Sequence, residues 1–347
     1  MSVKLKMNEI IFIGNFLSRH GINPTYTESL VTHLKQTGMQ IRTASDKKNI
    51  VIRLIDMTLI TLKARPYKSI IIIDLYSGKR ALIYAQWIGY ICRKKKVSYC
   101  VVLHGGNLPA ILKNNPRKIS HLLAGAKKII SPSAYLAKEF SSYLQIQIIP
   151  NAIDVEKYHF ELKKEIKPRI LFLRSFHKLT RPQDALFTLK ELLPTFPDAC
   201  LTMAGGDEDG TLAECKELIS NLHLDEQIRI TGKLSKEEIY HLSNEHDIFL
   251  HTMEIDNMPI TILEAMALGL CIVATEVGGI PFILENNKNA QIVKVGDVEG
   301  MVKAIKKYLT NYRYSLAISE QARQDVEKYD WKNILPKWIR LFNEVNL

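Results

Sequence analysis

Residues 247–281 read DIFLHTMEIDNMPITILEAMALGLCIVATEVGGIP. A short apolar run, Asp247–Leu250, leads into a polar loop with Glu254, Asp256 and Asn257, then into an apolar helical pattern over Pro259–Leu268. Pro259 suits the first position of that helix, since its missing N–H has no partner there in any case. Gly269 stands where a helix closes through a left-handed residue, and Leu270–Thr275 is again an apolar run of strand length. Strand, loop, helix and strand in this order predict a βαβ unit of a parallel sheet covered on both faces.

The same alternation extends in both directions. Upstream, Arg169–Leu173, Ala199–Ala204 and Gln227–Thr231 read as strands, with helices over Thr180–Leu193, Thr211–Leu222 and Lys236–Ser243. Ser235 followed by Glu238 forms a capping box for the last of these. An earlier series of strands covers Glu9–Gly14, Gln40–Thr43, Ser69–Leu75, Val97–Leu103, Lys127–Ser131 and Gln145–Ile149, with amphipathic stretches such as Thr25–Gln36 and Lys79–Cys92 between them. Ile153–Pro168, rich in lysine and glutamate without apolar periodicity, reads as a linker. Beyond Asp297 the pattern is helical, ending in an apolar stripe of Trp331, Ile334, Leu335, Trp338, Ile339 and Phe342. The expected fold is α/β, with two doubly wound Rossmann-like domains and an interdomain cleft onto which the carboxyl ends of both sheets open. The first domain is expected over residues 1–155, with a C-terminal helix over 326–347 packing back on it, and the second over 165–325.

Composition narrows the function classes. With 347 residues, 46% apolar and 24% charged, the chain is neither disordered nor collagen-like nor a disulfide miniprotein. No apolar run approaches the roughly 18 residues of a membrane-spanning helix. Lys4 and Lys6 precede an apolar stretch, Ile10–Ile13, that is too short for a signal peptide, so a cytoplasmic protein is expected. Five scattered cysteines without a Cys-x-x-Cys pair read as buried thiols. The net charge of +11 attracts nucleic acid, an anionic membrane surface or a phosphorylated ligand. No aromatic–basic interleaving or recognition motif supports nucleic acid. The run Arg93–Lys96, after Trp87, Ile88, Tyr90 and Ile91, is either a solvated helix end or a peripheral contact with the inner membrane leaflet.

Seven residues separate Asp256 from Glu264, so two carboxylates, good acceptors for vicinal sugar hydroxyls, can face one ligand. The alternative is a helix cap and a surface ion pair. The N–H groups of residues 258–261 at the head of the helix offer an anion site. Asp256-x7-Glu264, then Ala265-Met266-Ala267-x-Gly269 and Val277-Gly278-Gly279-Ile280-Pro281, resembles glycosyltransferase family 4. The resemblance implies a GT-B fold and a retaining enzyme that uses nucleotide-sugar donors. It gives Asp256, where the family has Glu, the donor sugar, and Glu264 the ribose hydroxyls.

Other segments agree in order and spacing. Arg174, and Arg181 in Arg181-Pro182-Gln183-Asp184, match the family's Arg and Lys that hold the donor diphosphate, with Lys178 a rival for the second cation. His104, in the strand-ending VVLHGGNLP of residues 101–109, matches a family histidine near the donor sugar. The loop Gly14–Pro24 has Gly21-Ile22 where the family often has Gly-Gly, and Pro150-Asn151-Ala152-Ile153-Asp154 resembles its hinge. Ala204-Gly205-Gly206-Asp207 resembles the turn under the nucleotide base.

The resemblance thus makes Arg174, Arg181, Asp256, Glu264 and His104 the expected catalytic residues, and Gly21, Lys178, Gly205, Asn257, Met258 and Pro259 the donor contacts. No carboxylate or histidine cluster has metal-ligand spacing, and neither a metal nor a cofactor is expected beyond the donor itself. The expected partners are a nucleotide-sugar donor and a glycan or lipid-linked acceptor in polysaccharide or glycolipid synthesis. Rivals are a sugar-nucleotide epimerase or phosphorylase on the same fold, and a nucleotide-sugar-binding module without turnover.

Overall fold

A computed structural model describes residues 9–114, 116–141 and 144–345. Lys4 and Lys6, and the last two residues of the expected C-terminal helix, lie outside these. The chain divides into two compact units: one runs to Ala152 and resumes at Trp331, and the other spans Ile153–Asp330.

The first unit holds a six-stranded parallel sheet of β1 (Glu9–Ile13), β2 (Ile41–Ala44), β3 (Ser69–Leu75), β4 (Ser98–Leu103), β5 (Lys128–Ser131) and β6 (Ile146–Ile148), in the order β2-β1-β3-β4-β5-β6. β3 is buried along its whole length, as a central strand covered on both faces must be. One face is covered by a cluster with Met57, Ala85, Ile88 and Leu122, the other by Leu30, Leu34, Trp338, Leu341 and Phe342. The helix Trp331–Val345 therefore belongs to this unit's core, with Trp338 Nε1 donating to the Tyr26 hydroxyl at 3.1 Å.

The second unit repeats the plan. β7 (Arg169–Leu173), β8 (Cys200–Ala204), β9 (Ile228–Gly232), β10 (Ile248–His251), β11 (Cys271–Thr275) and β12 (Gln291–Val293) pair in parallel in the order β12-β11-β10-β7-β8-β9. The order reverses between β7 and β10 here, and between β1 and β3 in the first unit. At such a reversal the connections leave in opposite directions and open a crevice at the carboxyl ends of the two strands. Among the described residues no helix is long and apolar enough to cross a membrane. The five cysteines are free; burial pushes the thiols of Cys92, Cys100, Cys215 and Cys271 up to about 12.

The expected linker Ile153–Pro168 is instead a strap on the second unit. Val155 is fully buried and its N–H donates to Asp330 Oδ2 at 3.0 Å. Lys163 Nζ reaches Asp247 Oδ1 at 2.9 Å, and Arg169 Nε reaches Asp247 Oδ2 at 2.6 Å. Charges that looked solvated in the sequence are thus partners of a buried carboxylate. The capping box of Ser235 and Glu238 and the left-handed Gly269 are as expected. Pro259 is the residue before the helix Ile260–Leu268 and not its first residue. β12 went unread because three residues carry too little periodicity.

Trp338 is fully buried, so Trp338→Ala should cost about 3–5 kcal/mol in denaturant unfolding of the first unit. His246 is buried between the Leu242 carbonyl (2.7 Å) and the Thr202 hydroxyl (2.9 Å). Burial lowers its pKa below the ordinary 6.5. The folded chain keeps it neutral while the unfolded chain takes up a proton, so its contribution is intact above about pH 6.5 and is lost as the pH falls. The thermal midpoint should drop between about pH 7 and 5, less steeply in His246→Gln.

Candidate active site

The crevice between β7 and β10 is lined by charge. Arg174 follows β7 directly, and its guanidinium donates to Asp256 Oδ2 in the loop after β10. His251, the last residue of β10 and fully enclosed, puts Nε2 at 3.2 Å from the same oxygen and 3.5 Å from Arg174 Nη2. The other carboxylate oxygen accepts from the Asn257 N–H at 2.8 Å. Burial works against a charge on Asp256, but Arg174 and His251 more than offset it, so its pKa lies below the usual carboxylate range. Burial keeps His251 below its usual value as well, with Arg174 reinforcing this and Asp256 opposing it. His251 had no signal in the sequence, where it falls just after the apolar run Asp247–Leu250.

Two glycines fix this geometry. A methyl group at Gly205 would overlap the Arg174 carbonyl, and one at Gly278 would overlap the Asp256 carbonyl. Gly278 has φ +49, and the next N–H, of Gly279, donates to the Asp256 carbonyl at 3.0 Å. Close backbone approach thus requires a glycine at position 205.

Glu264 lies in the second turn of the helix Ile260–Leu268. Tyr158, on the strap, donates its hydroxyl to Glu264 Oε1 at 2.9 Å, and Lys236 Nζ lies 4.0 Å away. Burial raises the Glu264 pKa against the pull of Lys236, Tyr158 and Arg174. Asn257, Met258 and Pro259 are all buried, and Met258 packs in the unit's hydrophobic core. The side chain of Met258 is therefore a packing group, which sequence spacing could not reveal.

The loop between β7 and its helix separates the two rival cations. Arg181 has φ +47 and makes a two-pronged bond to Asp184 (2.6 and 3.0 Å) and a third to Glu254 Oε1 at 3.0 Å. The bonds to Asp184 first, then Glu254, hold its proton more firmly than usual. Lys178 is exposed, and among the described residues no carboxylate is ion-paired with its Nζ. Its backbone N–H is anchored by Asp209 Oδ2 at 3.1 Å. Asp209 belongs to Asp207-Glu208-Asp209, an Asp-x-Asp triplet, which corrects the expectation that no such triplet occurs. Both of its aspartates bond to the head of the next helix, Asp207 to the Gly210 N–H (3.0 Å) and Asp209 to the Thr211 N–H (3.2 Å). Among the described residues no cluster of three or more His, Cys, Asp or Glu could hold a metal ion.

In the first unit, His104 follows β4, and its Nε2 lies 2.9 Å from Oδ1 of Asp74, a buried residue near the end of β3. Tyr76 stacks on the imidazole with ring centroids 4.9 Å apart. Gly14, after β1, leaves room for the Asp74 carboxylate that a side chain would fill. Asp74 was missed because its partner is 30 residues away. Gly21 ends a one-turn helix with φ +75, a left-handed backbone that favours glycine irrespective of any ligand.

Residues 154–325 match the model of the family described as Glycosyl transferases group 1. The chain is 26% identical over 211 residues to the N-acetyl-alpha-D-glucosaminyl L-malate synthase of Bacillus anthracis, covering 58% of this chain and 54% of that protein. It is 25% identical over 210 residues to the phosphatidyl-myo-inositol mannosyltransferase of Mycolicibacterium smegmatis, covering 57% and 52%. The chain thus spans about half the length of these relatives. Among solved structures, the sucrose-phosphate synthase of Thermosynechococcus elongatus superposes with a TM-score of 0.80 at 14% identity, covering 97% of this chain and 99% of that one. Anabaena HepE in complex with UDP-glucose superposes with a TM-score of 0.76 at 15% identity, covering 97% and 100%. These likenesses show the fold, and it is GT-B. With the family match over 154–325 and the spacing from Asp256 to Pro281, the second unit of this chain belongs to the glycosyl transferases group 1 family.

Proposed function

We propose that the chain is a retaining glycosyltransferase that moves a sugar from a nucleotide-sugar donor to a hydroxyl of a glycan or lipid-linked acceptor. The observation that carries this reading is the Arg174–Asp256 ion pair at the β7–β10 crevice, with Glu264 close enough to feel the Arg174 charge, in a unit of that family. Relatives that transfer sugars to malate and to phosphatidyl-myo-inositol support a hydroxyl acceptor.

Breaking the bond from sugar to phosphate puts negative charge on the leaving diphosphate, and fixed cations stabilise it where water is scarce. Arg174 is the first such cation. Lys178 is the second, because Arg181 is held between two carboxylates, Asp184 and Glu254, whereas Arg174 has one. Glu264 takes the ribose hydroxyls. Asp256, one methylene shorter than the family's acid, reaches the donor sugar while it orients Arg174. The first unit serves the acceptor through Gly14–Pro24 and His104. Attack on the face from which the diphosphate leaves retains configuration without an enzyme nucleophile. Side-chain cations carry the charge in place of a metal. We place the protein in the cytoplasm, with a peripheral contact at the inner leaflet through the Arg93–Lys96 run.

Nucleoside diphosphate release by the purified chain should fall at least about a hundredfold in Arg174→Ala and in Glu264→Ala. Unchanged rates in both would remove the site assignment. Lys178→Ala should slow release at an unaltered thermal midpoint. Arg181→Ala should chiefly lower the midpoint, because it strands the buried Asp184. Added chelator should leave the rate unchanged. In a screen of UDP, GDP and ADP sugars, the right donor at a hundred times its Kd should stabilise the fold by about 2.7 kcal/mol.

A further inference from the structure

Two neighbouring helices of the first unit, Ile50–Lys63 and Lys79–Lys95, turn apolar side chains outward. On the first helix Ile55, Leu59 and Leu62 are about half exposed, at 52%, 50% and 47%. On the second, Ile83, Trp87 and Tyr90 are 61%, 45% and 46% exposed. Each set follows helical spacing, so each forms one stripe. The stripes lie side by side: Trp87 Nε1 donates to Thr58 Oγ1 at 3.0 Å, and Lys95 Nζ bonds to the Leu62 carbonyl. The indoles and phenols are ordered within the patch, Trp87 stacking on Tyr90 at 5.9 Å between centroids and Lys94 lying 5.7 Å above the Tyr90 ring. An exposed apolar surface of this extent marks an interaction site.

Charge identifies the occupant. Residues 47–98, which include both helices, contain twelve lysines and arginines and only two acidic residues, Asp56 and Asp74. Asp74 is buried, and the one remaining acid, Asp56, is far outnumbered by the basic side chains. Lys63, Arg65, Lys68, Arg80, Lys94 and Lys96 are exposed around the stripes. A second copy of this chain would bring the same excess of positive charge against itself. An anionic bilayer instead meets the basic rim with its headgroups, takes the aliphatic stripes into the acyl boundary, and suits Trp and Tyr at the level between.

We propose that the paired outer faces of Ile50–Lys63 and Lys79–Lys95 form a docking surface for an anionic lipid bilayer. This deepens the membrane contact of the preceding reading and rests on it, but not on the transfer reaction. The expected contact is wider than Arg93–Lys96: Ile88 and Ile91, close to that run, are buried, and the aliphatic anchor comes largely from the other helix.

The test is sedimentation of the full chain with vesicles of phosphatidylcholine alone, or of phosphatidylcholine with phosphatidylglycerol, without any sugar donor. Binding is expected to the anionic vesicles only, with release at high salt. Of the three tryptophans Trp331 and Trp338 are buried, so a blue shift on binding should come from Trp87 and vanish in Trp87→Phe. Lys63→Ala with Lys94→Ala should weaken partitioning about thirtyfold, at about fivefold per basic residue near the surface. Leu59→Ser with Trp87→Ala should weaken it at least about tenfold, with the thermal midpoint confirming that the variants fold. Binding indifferent to lipid charge, or none at low salt, would overturn the proposal. So would a dimer that Trp87→Ala splits, since the face would then cover a second copy. Vesicle binding by a chain that binds no nucleotide sugar would count against the transfer reading alone.

Discussion

The ion pair between Arg174 and Asp256 sets the terms for the second unit. A guanidinium and a carboxylate drawn into a crevice lose much of their hydration, and breaking such a pair by removing one partner costs more than the pair itself contributes. The surroundings are accordingly arranged to keep both. His251 is held neutral beneath the shared oxygen, and the Asn257 N–H satisfies the other one. Gly205 and Gly278 let neighbouring backbone come within the reach of a methyl group on either side. The pair sits where the strand order reverses, so the sheet supplies its two halves from adjacent strands, β7 and β10, that are far apart in sequence.

That separation explains what could be read from the sequence and what could not. Apolar periodicity, capping and chain-reversing glycine act within a few residues, so every strand but β12, the Ser235 capping box, the Gly269 cap and the stripe ending at Phe342 were legible. Partnership is non-local. Nothing near Asp74 announces His104, and nothing near Tyr158 announces Glu264. The strap Ile153–Pro168 looked like a linker because its lysines and tyrosine have no periodic pattern. Their order comes from Asp247 and Glu264, about a hundred residues on. The resemblance supplied Arg174, Asp256 and Glu264, but the carboxylates that hold Arg181, Asp184 three residues on and Glu254 far along the chain, become visible as its partners only in the fold.

The first unit follows the same rule with different side chains. Its reversal falls between β1 and β3, and the residues gathered there are Gly14, Asp74 and, from β4, His104. A carboxylate again holds a nitrogen group at the carboxyl end of a sheet, an imidazole here and a guanidinium in the second unit. One fold used twice thus sets a carboxylate against a nitrogen group at the strand reversal of each sheet.

The charges of the two units make the same distinction on a larger scale. The segments assigned to the first unit contain 26 lysines and arginines and 7 acidic residues, while Ile153–Asp330 contains 21 and 29. The overall +11 therefore does not describe the unit that belongs to the glycosyl transferase family, which is net negative. On the proposed reading, the net charge of that unit does not attract an anionic donor, and the hold falls to a few cations placed at short range, where a low local dielectric strengthens each of them. The positive field belongs to the other unit, spread over helices whose outer faces are also apolar, which suits attraction to an extended anionic surface better than recognition of a single small ligand.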